Sequence, residues 1–484
     1  MKSLITAAGV LPPKNHNMAQ KNKLVKKNTA RQTDPGFRRR SHRRSKSYGG
    51  QARSHGGQVA GSPGFSKVSL LIKKGVIIPN PSSVLIDPAV VIDQIAPGTI
   101  IYPFCRISGA QTSIGPKSIL GAEAPVTIDN CQLGSEVKLS GGYFSGATFL
   151  DNSGMGSGAH VRPGTLIEEF ASGAHAVGLK QTVLFPYVAL GSLINFCDCL
   201  MAGGTGRKNH GEVGSSYVHF NFTPHHDKAT ASLIGAVPRG VLLDQPPVFL
   251  GGQGGLVGPA QIAFGAIIPA GIIRRKDVPD AGLAGEDDQA QAAAGGFIPG
   301  AYRSIDRIIR NNLVYIGNIY ALKMWYRHAR KIFMAKEKFQ SACLAGAIER
   351  LESILQERIN RLGELADKMP RSIDLNIKAG NADLPYLQQQ KDFAGQWAKI
   401  NDDLSQTAGF EGDTAKRDSF LTEASKRHGQ QSYLETIAGL SPKSKTNAAE
   451  WLQSIVDRAT GIWKTDKQEK SVSHRGHRVH GDKD

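Results

Sequence analysis

The sequence contains little cysteine and no long apolar run. Its five cysteines are an odd number scattered over 484 residues. They argue against a disulfide framework and for the reducing environment of the cytoplasm. Because no stretch of 18 apolar residues occurs, no membrane-spanning helix is predicted. Cys197 and Cys199 lack a second pair at zinc-ligand spacing, and we interpret them as small buried residues on a strand.

Acidic residues are nearly missing from the first 67 positions. This stretch has 15 lysines and arginines against one acid, Asp34, so it carries +14 of the formal net charge of +18. It is rich in arginine, serine and glycine and poor in aromatics, so residues 1–67 are predicted to form a disordered basic tail. Such a tail either binds polyanions non-specifically or remains a solvated arm without a partner. The remaining residues are close to neutral.

Glycines and isolated aliphatic residues recur over residues 68–278. A period of six residues fits neither a helix nor a simple strand, but it fits a solenoid with three flat faces and about 18 residues per turn. Residues 68–278 are therefore predicted to form a parallel β-helix of hexapeptide repeats, with on the order of ten turns. The six-residue spacing is clearest at Leu250, Leu256, Ile262 and Ile268.

The six-residue register is lost between Phe185 and Pro247. This interval contains the stretch KNHGEVGSSYVHFNFTPHHDKAT (208–230), which holds four of the 14 histidines of the chain. Irregular insertions in a solenoid leave the coil as loops, often on the binding face. The histidine-rich stretch is therefore predicted to be a functional loop carried by a rigid solenoid.

Helical spacing replaces the hexads beyond a predicted linker at 279–300. The pattern predicts a helical hairpin or coiled coil over 301–370, ending before Pro370, and a further helical region over 371–466. Residues 467–484 read as a disordered basic end. We assign the helical part to packing or oligomerisation. The tight apolar spacing within it runs through Leu344, Ile348, Leu351, Leu355, Ile359 and Leu362.

Three segments resemble a known family: HVRPGTLIEEFASGAHAVGLKQTVL (160–184), EVGSSYVHFNFTPHHDKATASLIG (212–235) and GGLVGPAQIAFGAIIPAGIIRRKDV (254–278). They are similar to left-handed parallel β-helix transferases. The likeness is closest to the acetyltransferase half of the bacterial bifunctional UDP-N-acetylglucosamine pyrophosphorylase/glucosamine-1-phosphate N-acetyltransferase. The resemblance implies a left-handed β-helix, a homotrimer, and acetyl transfer from acetyl-CoA to an amino-sugar phosphate in cytoplasmic UDP-N-acetylglucosamine biosynthesis.

The resemblance also implies roles for individual residues. Arg162 of RPG and Lys180 match the family's phosphate clamp, and Asn221 resembles the asparagine of its acetyl-CoA motif. Lys228 is a further candidate for contact with a ligand phosphate. A base must remove the proton of the acceptor ammonium group, and no metal is expected to be needed. The candidate bases, whose imidazoles titrate near neutrality, are His210, His219 and His225.

Two departures from the family leave alternatives open. The segment TAAGVLPPK (6–14) lacks the glycine-rich loop that cradles nucleotide phosphates, so no nucleotidyltransferase domain is predicted. The family's catalytic histidine also lies further upstream than His210. A non-catalytic or degenerate β-helix scaffold is therefore one alternative. A metal enzyme like the γ-type carbonic anhydrases, with ligands drawn from His160, His175, His219 and His225, is the other.

Overall fold

The computed structural model of the chain describes residues 63–285, 297–382, 384–428 and 431–463. The predicted basic tail therefore lies outside the described residues, apart from 63–67, which begin a helix. The predicted basic end at 467–484 also lies outside them, and the predicted linker is described only at 279–285 and 297–300.

Short strands build the described chain from residue 85 to residue 283. In order they are β1 (Leu85–Ile86), β2 (Ile100–Ile101), β3 (Arg106–Ser108), β4 (Ser113–Ile114), β5 (Ile119–Leu120), β6 (Val126–Asp129), β7 (Gln132–Leu133), β8 (Lys138–Leu139), β9 (Gly142–Ser145), β10 (Ala147–Phe149), β11 (Gly154–Met155), β12 (Ala159–Val161), β13 (Thr165–Ile167) and β14 (Ser172–Gly173). They continue with β15 (Gly178–Leu184), β16 (Ala189–Leu190), β17 (Asn195–Met201), β18 (Gly204–Gly206), β19 (Asn209–His210), β20 (Glu212–Val213), β21 (Val218–Phe220), β22 (Ser232–Ile234), β23 (Phe249–Leu250), β24 (Gly255–Val257), β25 (Gln261–Ile262), β26 (Ala266–Ile268), β27 (Ile273–Arg274) and β28 (Gly282–Leu283).

Apart from β18 and β19, these strands stack as a parallel β-solenoid of about 11 turns, which confirms the predicted fold class. The first face is the ten-stranded sheet that runs from β2 to β28. The second face runs from β1 through β12 to β27, and the third face runs from β4 through β13 to β25. The seven-residue strands β15 and β17 continue around the corner between the second and third faces, so these two faces form one sheet.

Aliphatic side chains from each face fill the narrow interior. The four hexad residues that carried the prediction are all buried, at 0–3% exposure. The predicted interpretation of Cys197 and Cys199 is confirmed, because both lie in β17 and are buried. On the second face one inward column consists of Ile107, Ile128, Phe144, Val161, Leu179 and Phe196.

Two insertions interrupt the stack within the interval where the hexad register is lost. Paired residues on the second face lie 17 or 18 positions apart from Tyr143 to Asn195, as the hexads predict. The separation then rises to 23 between Asn195 and Val218 and to 37 between Val218 and Gly255. The first insertion is the antiparallel hairpin β18–β19, and the second contains the loop at 221–231 and a short helix.

The described helices lie mostly after the last coils, and two of them pack on the third face. The helices are α1 (Pro63–Lys73) before the solenoid, α2 (Val237–Gly240) within it, and α3 (Asp306–Trp325), α4 (Lys331–Met334), α5 (Lys338–Lys378), α6 (Pro385–Thr407), α7 (Thr414–His428), α8 (Tyr433–Ala438) and α9 (Pro442–Thr460) after it. Short 3₁₀ helices span Pro81–Ser83 and Ile92–Gln94, and a π-helical turn spans Tyr326–Arg330. Helix α5 packs along β4, β7, β10 and β13, and α3 packs on β22.

The prediction that a helix ends before Pro370 is wrong, because α5 continues through this proline to Lys378. A proline inside a helix costs about 3 kcal/mol through the lost hydrogen bond and a steric clash. Tertiary contacts on both sides of Pro370 offset this cost. Met369 and Ser372 are fully buried, and Ser372 accepts a hydrogen bond from the backbone N–H of Tyr302 at 2.8 Å.

Gly346 lets α5 approach the third face closely. A Cβ atom there would lie 2.1 Å from Gln132 Oε1 and 2.6 Å from Thr148 Oγ1. We expect Gly346→Ala to lower the free energy of unfolding by about 1–3 kcal/mol, although alanine favours helix, because the buried neighbours must move. Gly395→Ala in α6 is the control, since its Cβ would meet no atom within 4 Å. Urea unfolding should show that Gly395→Ala raises the free energy of unfolding by up to about 1 kcal/mol. An equal rise for Gly346→Ala would contradict the prediction.

Candidate functional site

Arg162 and Lys180 lie side by side at the corner between the second and third faces. Arg162 follows β12 and Lys180 lies in β15 on the next coil, and the backbone N–H of Arg162 donates to Leu179 at 2.9 Å. The Arg162 guanidinium lies 3.3 Å from Cys197 Sγ on the coil beyond. Within the described ranges, neither cation forms an ion pair with a carboxylate. This corner therefore presents two neighbouring positive charges.

Asp198 is the carboxylate beside these cations, and its two oxygens are already bound. Arg358 from α5 donates to Oδ1 at 2.9 Å, and the Asn221 side-chain amide donates to Oδ2 at 2.9 Å. Asp198 and Arg358 are both buried, at 2% and 1% exposure. The residues Arg162, Lys180, Cys197, Asp198 and Asn221 are hereafter called the Arg162 corner. Three of the predicted ligand-binding residues thus come together in one copy of the chain.

His219 is buried in the solenoid interior. It pairs with Leu256 and occupies a position of the inward column that is otherwise aliphatic or aromatic. Its Nδ1–H donates to the Cys197 carbonyl at 2.6 Å, and its Nε2 lies 2.8 Å from Ser232 Oγ. Burial lowers the pKa of His219 to about 4. The imidazole is therefore neutral, with both ring nitrogens hydrogen-bonded, and does not face solvent.

His225 lies in the loop at 221–231, between the solenoid and the first helices that follow it. Its Nδ1 accepts a hydrogen bond from the backbone N–H of Gly300 at 3.0 Å, so the proton of the neutral ring resides on Nε2. The ring stacks on Tyr302 with centroids 4.3 Å apart, and burial lowers its pKa. It lines a mostly apolar cavity of about 520 Å³. In this tautomer the other ring nitrogen of His225 carries a proton and is not a basic lone pair.

His210 ends the hairpin β18–β19 at a different corner, between the third and first faces. Its Nδ1–H donates to the Arg207 carbonyl at 2.9 Å, which leaves the Nε2 lone pair free to accept a proton. It lines a cavity of about 540 Å³. Of the three predicted bases, His210 thus has the tautomer of a general base. The structure does not bring the three together in one site.

Lys228 lies close to the Arg162 corner through its backbone. Its carbonyl accepts a hydrogen bond from Arg358 Nη1 at 3.2 Å, and its side chain is partly buried. Arg358 therefore connects the end of the histidine-rich loop with Asp198, and Asn221 binds the other oxygen of that carboxylate. The predicted contact of Lys228 with a ligand phosphate stays a prediction.

The four histidines of the metal-enzyme alternative occupy separate surroundings in one copy of the chain. His160 stacks on Tyr143 on the second face, and His175 Nδ1 lies 2.7 Å from Ser192 Oγ. His219 is in the interior and His225 is in the loop. Among the residues the structure describes, no group of three or more histidine, cysteine, aspartate or glutamate side chains is placed to hold a metal ion.

Reasoning from sequence missed the part that the helices play at this site. Arg358 follows Gly346, Arg350 and Ile354 at steps of four, so these residues share one face of α5. Two arginines in an otherwise small and apolar row signal buried ion pairs or hydrogen bonds. The Arg350 guanidinium indeed lies 3.5 Å from Gln132 Oε1, and Arg358 binds Asp198.

Sequence comparisons connect the chain with proteins named bifunctional protein GlmU, although no family model matches it. It is 28% identical over 213 residues to the bifunctional protein GlmU of Nitratidesulfovibrio vulgaris and 28% identical over 215 residues to that of Pelobacter propionicus. It is 25% identical over 214 residues to that of Thermotoga maritima. Each match covers 44% of this chain and 42% of the relative, so the chain spans less than half the length of these relatives.

The repeats and the stacked parallel strands define the architecture of the hexapeptide-repeat transferases. Within that architecture the chain is related to GlmU proteins, and the matched length is close to that of the solenoid. Across the described ranges, no helix combines the length and apolar character that a membrane span requires.

Proposed function

We propose that the chain is an acyltransferase that moves the acetyl group of acetyl-CoA to the amine of an amino-sugar phosphate in UDP-N-acetylglucosamine biosynthesis. The pair of cations at the Arg162 corner carries this proposal. Arg162 and Lys180 lie on neighbouring coils, and the adjacent Asp198 is already bound by Arg358. A phosphate group offers the charge and the acceptor oxygens that two such cations bind best. The similarity to GlmU supports the substrate class.

The proposed reaction needs a base as well as a clamp. The acceptor amine attacks the thioester carbonyl, a base takes the ammonium proton, and the tetrahedral intermediate collapses with CoA thiolate as the leaving group. His210 has a free ring nitrogen for this task, but it lies at the opposite edge of the third face from Arg162. In the proposed homotrimer, a second copy would supply the base to the Arg162 corner.

The hydrogen bonds made by two of the predicted bases favour a second candidate function, a non-catalytic scaffold. His219 is buried with both ring nitrogens hydrogen-bonded, and His225 presents an N–H. In one copy, none of the predicted histidines therefore offers a lone pair to the Arg162 corner. A scaffold of this kind would retain phosphate binding and lack acetyl transfer.

Removal of either cation tests the proposed clamp. We expect Arg162→Ala and Lys180→Ala each to weaken binding of glucosamine 1-phosphate by about 1.5–3 kcal/mol, because each removes a charge-assisted contact. Isothermal titration calorimetry measures this loss, with Lys399→Ala, an exposed lysine of α6, as the control.

Two results would count against these assignments. Unchanged affinity in the Arg162→Ala/Lys180→Ala double variant would remove the clamp. Full binding without release of CoA from acetyl-CoA would favour the scaffold over the enzyme.

A further inference from the structure

A second concave surface lies over the corner between the third and first faces, away from the Arg162 corner. Its volume is about 540 Å³, within the range of small-molecule sites. The hairpin β18–β19 overhangs it. We call it the hairpin groove, and it is lined by Glu136, Lys138, Asn152, Phe170, Ser172, Tyr187, Ala189, Arg207 and His210.

Two aromatic residues form the floor of the hairpin groove. The rings of Phe170 and Tyr187 stack with centroids 5.6 Å apart and planes only 6° from parallel. Both residues have left-handed backbones, with φ of 59° and 71°. Asn152 holds the equivalent turn one coil earlier, and asparagine tolerates this conformation better than an aromatic residue does. Backbone geometry therefore does not explain the two rings, whereas a rigid platform for a ligand does.

The hairpin holds a guanidinium above this platform. Arg207 Cζ lies 4.0 Å from the centre of the Phe170 ring. The turn is closed by the His210 Nδ1–H bond to the Arg207 carbonyl and by a 2.9 Å bond from Asn209 to Thr205 Oγ1. These bonds fix the backbone of the turn, and the contact with the Phe170 ring positions the guanidinium, which reduces the entropy lost on binding.

The groove carries a positive charge that the protein does not neutralise. Arg207 and Lys138 form no ion pair within the described part of the chain. The groove's carboxylate, Glu136, lies 3.5 Å from Lys117 Nζ. The Asn152 amide and the Ser172 hydroxyl add groups that hydrogen-bond to alcohols. The free Nε2 of His210 adds an acceptor.

We propose that the hairpin groove binds the phosphate monoester of a small hydroxylated molecule. Lys138 and Arg207 hold the phosphate, and Asn152, Ser172 and His210 bind hydroxyl groups. A sugar phosphate fits better than a nucleotide, because the Phe170 ring already contacts both Arg207 and Tyr187, whereas the Asn152, Ser172 and His210 side chains are suited to hydroxyl groups. The groove shares His210 with the function proposed above, whereas Lys138, Asn152, Ser172 and Arg207 belong to the groove alone, so the site stands without that function.

Calorimetric titration of the full chain tests the groove with glucose 6-phosphate, glucose, inorganic phosphate and AMP as probes. Glucose 6-phosphate should bind at least about tenfold more tightly than the other three, since only it offers both phosphate and unhindered hydroxyls. Lys138→Ala and Arg207→Gln should each weaken it roughly tenfold or more. His210→Asn keeps a donor for the Arg207 carbonyl and removes the free ring nitrogen, so a loss of about fivefold is expected.

Controls separate the hairpin groove from the Arg162 corner. Arg162→Ala should leave binding of glucose 6-phosphate at the groove unchanged, and Lys399→Ala should behave as the unmodified chain. The proposal is overturned if no phosphate ester binds saturably, if glucose binds as well as glucose 6-phosphate, or if only Arg162→Ala abolishes binding. Tighter binding of AMP, lost in Arg207→Gln, would overturn the assignment to a sugar phosphate.

Discussion

Replacement of Arg358 by methionine is expected to lower the free energy of unfolding by about 3–5 kcal/mol. Arg358 donates to the buried carboxylate of Asp198 and to the carbonyl of Lys228, and its side chain is 1% exposed. Methionine fills much of the same volume but leaves a buried charge unpaired, and that charge is the dominant cost. Urea unfolding followed by far-ultraviolet circular dichroism measures the change.

The same helix supplies a matched control for Arg358. Arg361 pairs with Glu357 and Glu364, but its side chain is 24% exposed and the partners reach solvent. Arg361→Met should cost no more than about 1 kcal/mol. Adding Asp198→Asn to Arg358→Met should restore part of the lost stability, because the unpaired charge is then removed. Equal losses for Arg358→Met and Arg361→Met would show that the buried ion pair does not connect the helix with the solenoid.

Replacement of Arg330 by methionine is the second large effect we expect, again about 3–5 kcal/mol. Arg330 pairs with both Glu168 and Glu169 at the start of the corner turn, and its guanidinium lies 3.6 Å from the centre of the Tyr433 ring. Without it, the carboxyl groups of Glu168 and Glu169 lose the cation that they share. Arg327→Met is the control, because Arg327 pairs with Glu352 at 41% side-chain exposure.

The Arg330 cluster also makes the stability of the intact protein depend on pH. Burial raises the pKa of Glu168 from 4.5 to about 7, so the folded state holds this proton more tightly than the unfolded chain does. The resulting contribution is complete below about pH 4.5 and is lost as the pH rises through 7. Glu168→Gln should flatten this part of the stability profile. A profile that is unchanged in Glu168→Gln would exclude Glu168 as its source.

Local patterns predict the solenoid well, because each inward position belongs to a short repeat. Leu250 and Leu256 are buried in the interior, and the six-residue repeat in which each lies is enough to predict this. The interval where the repeat fails also locates both insertions. The bond between Asp198 and Arg358 joins positions 160 residues apart, and no period in the sequence reports such a pair.

The candidate site is only partly accessible to reasoning from sequence. Short motifs in the sequence identify Arg162 and Lys180 as candidates. The stacking of coils then brings them close to Asn221. The sequence does not show which of His210, His219 and His225 can act as a base. That depends on which ring nitrogen of each histidine is hydrogen-bonded to a backbone carbonyl or N–H group. His219 is buried in a column of apolar residues, and the polar residues around it in the sequence do not predict this position.

Helix α5 changes how the solenoid can come apart. Each coil of a solenoid contacts only the neighbouring coils, so a solenoid without packed helices can unfold turn by turn from either end. With 41 residues, α5 is about 60 Å long, whereas adjacent coils are about 4.8 Å apart. Along that length it contacts β4 near the beginning of the stack, and through Lys368 it binds the carbonyl of His226, several coils later. Distant turns are therefore coupled through the helix, and opening one of them strains contacts that hold the others.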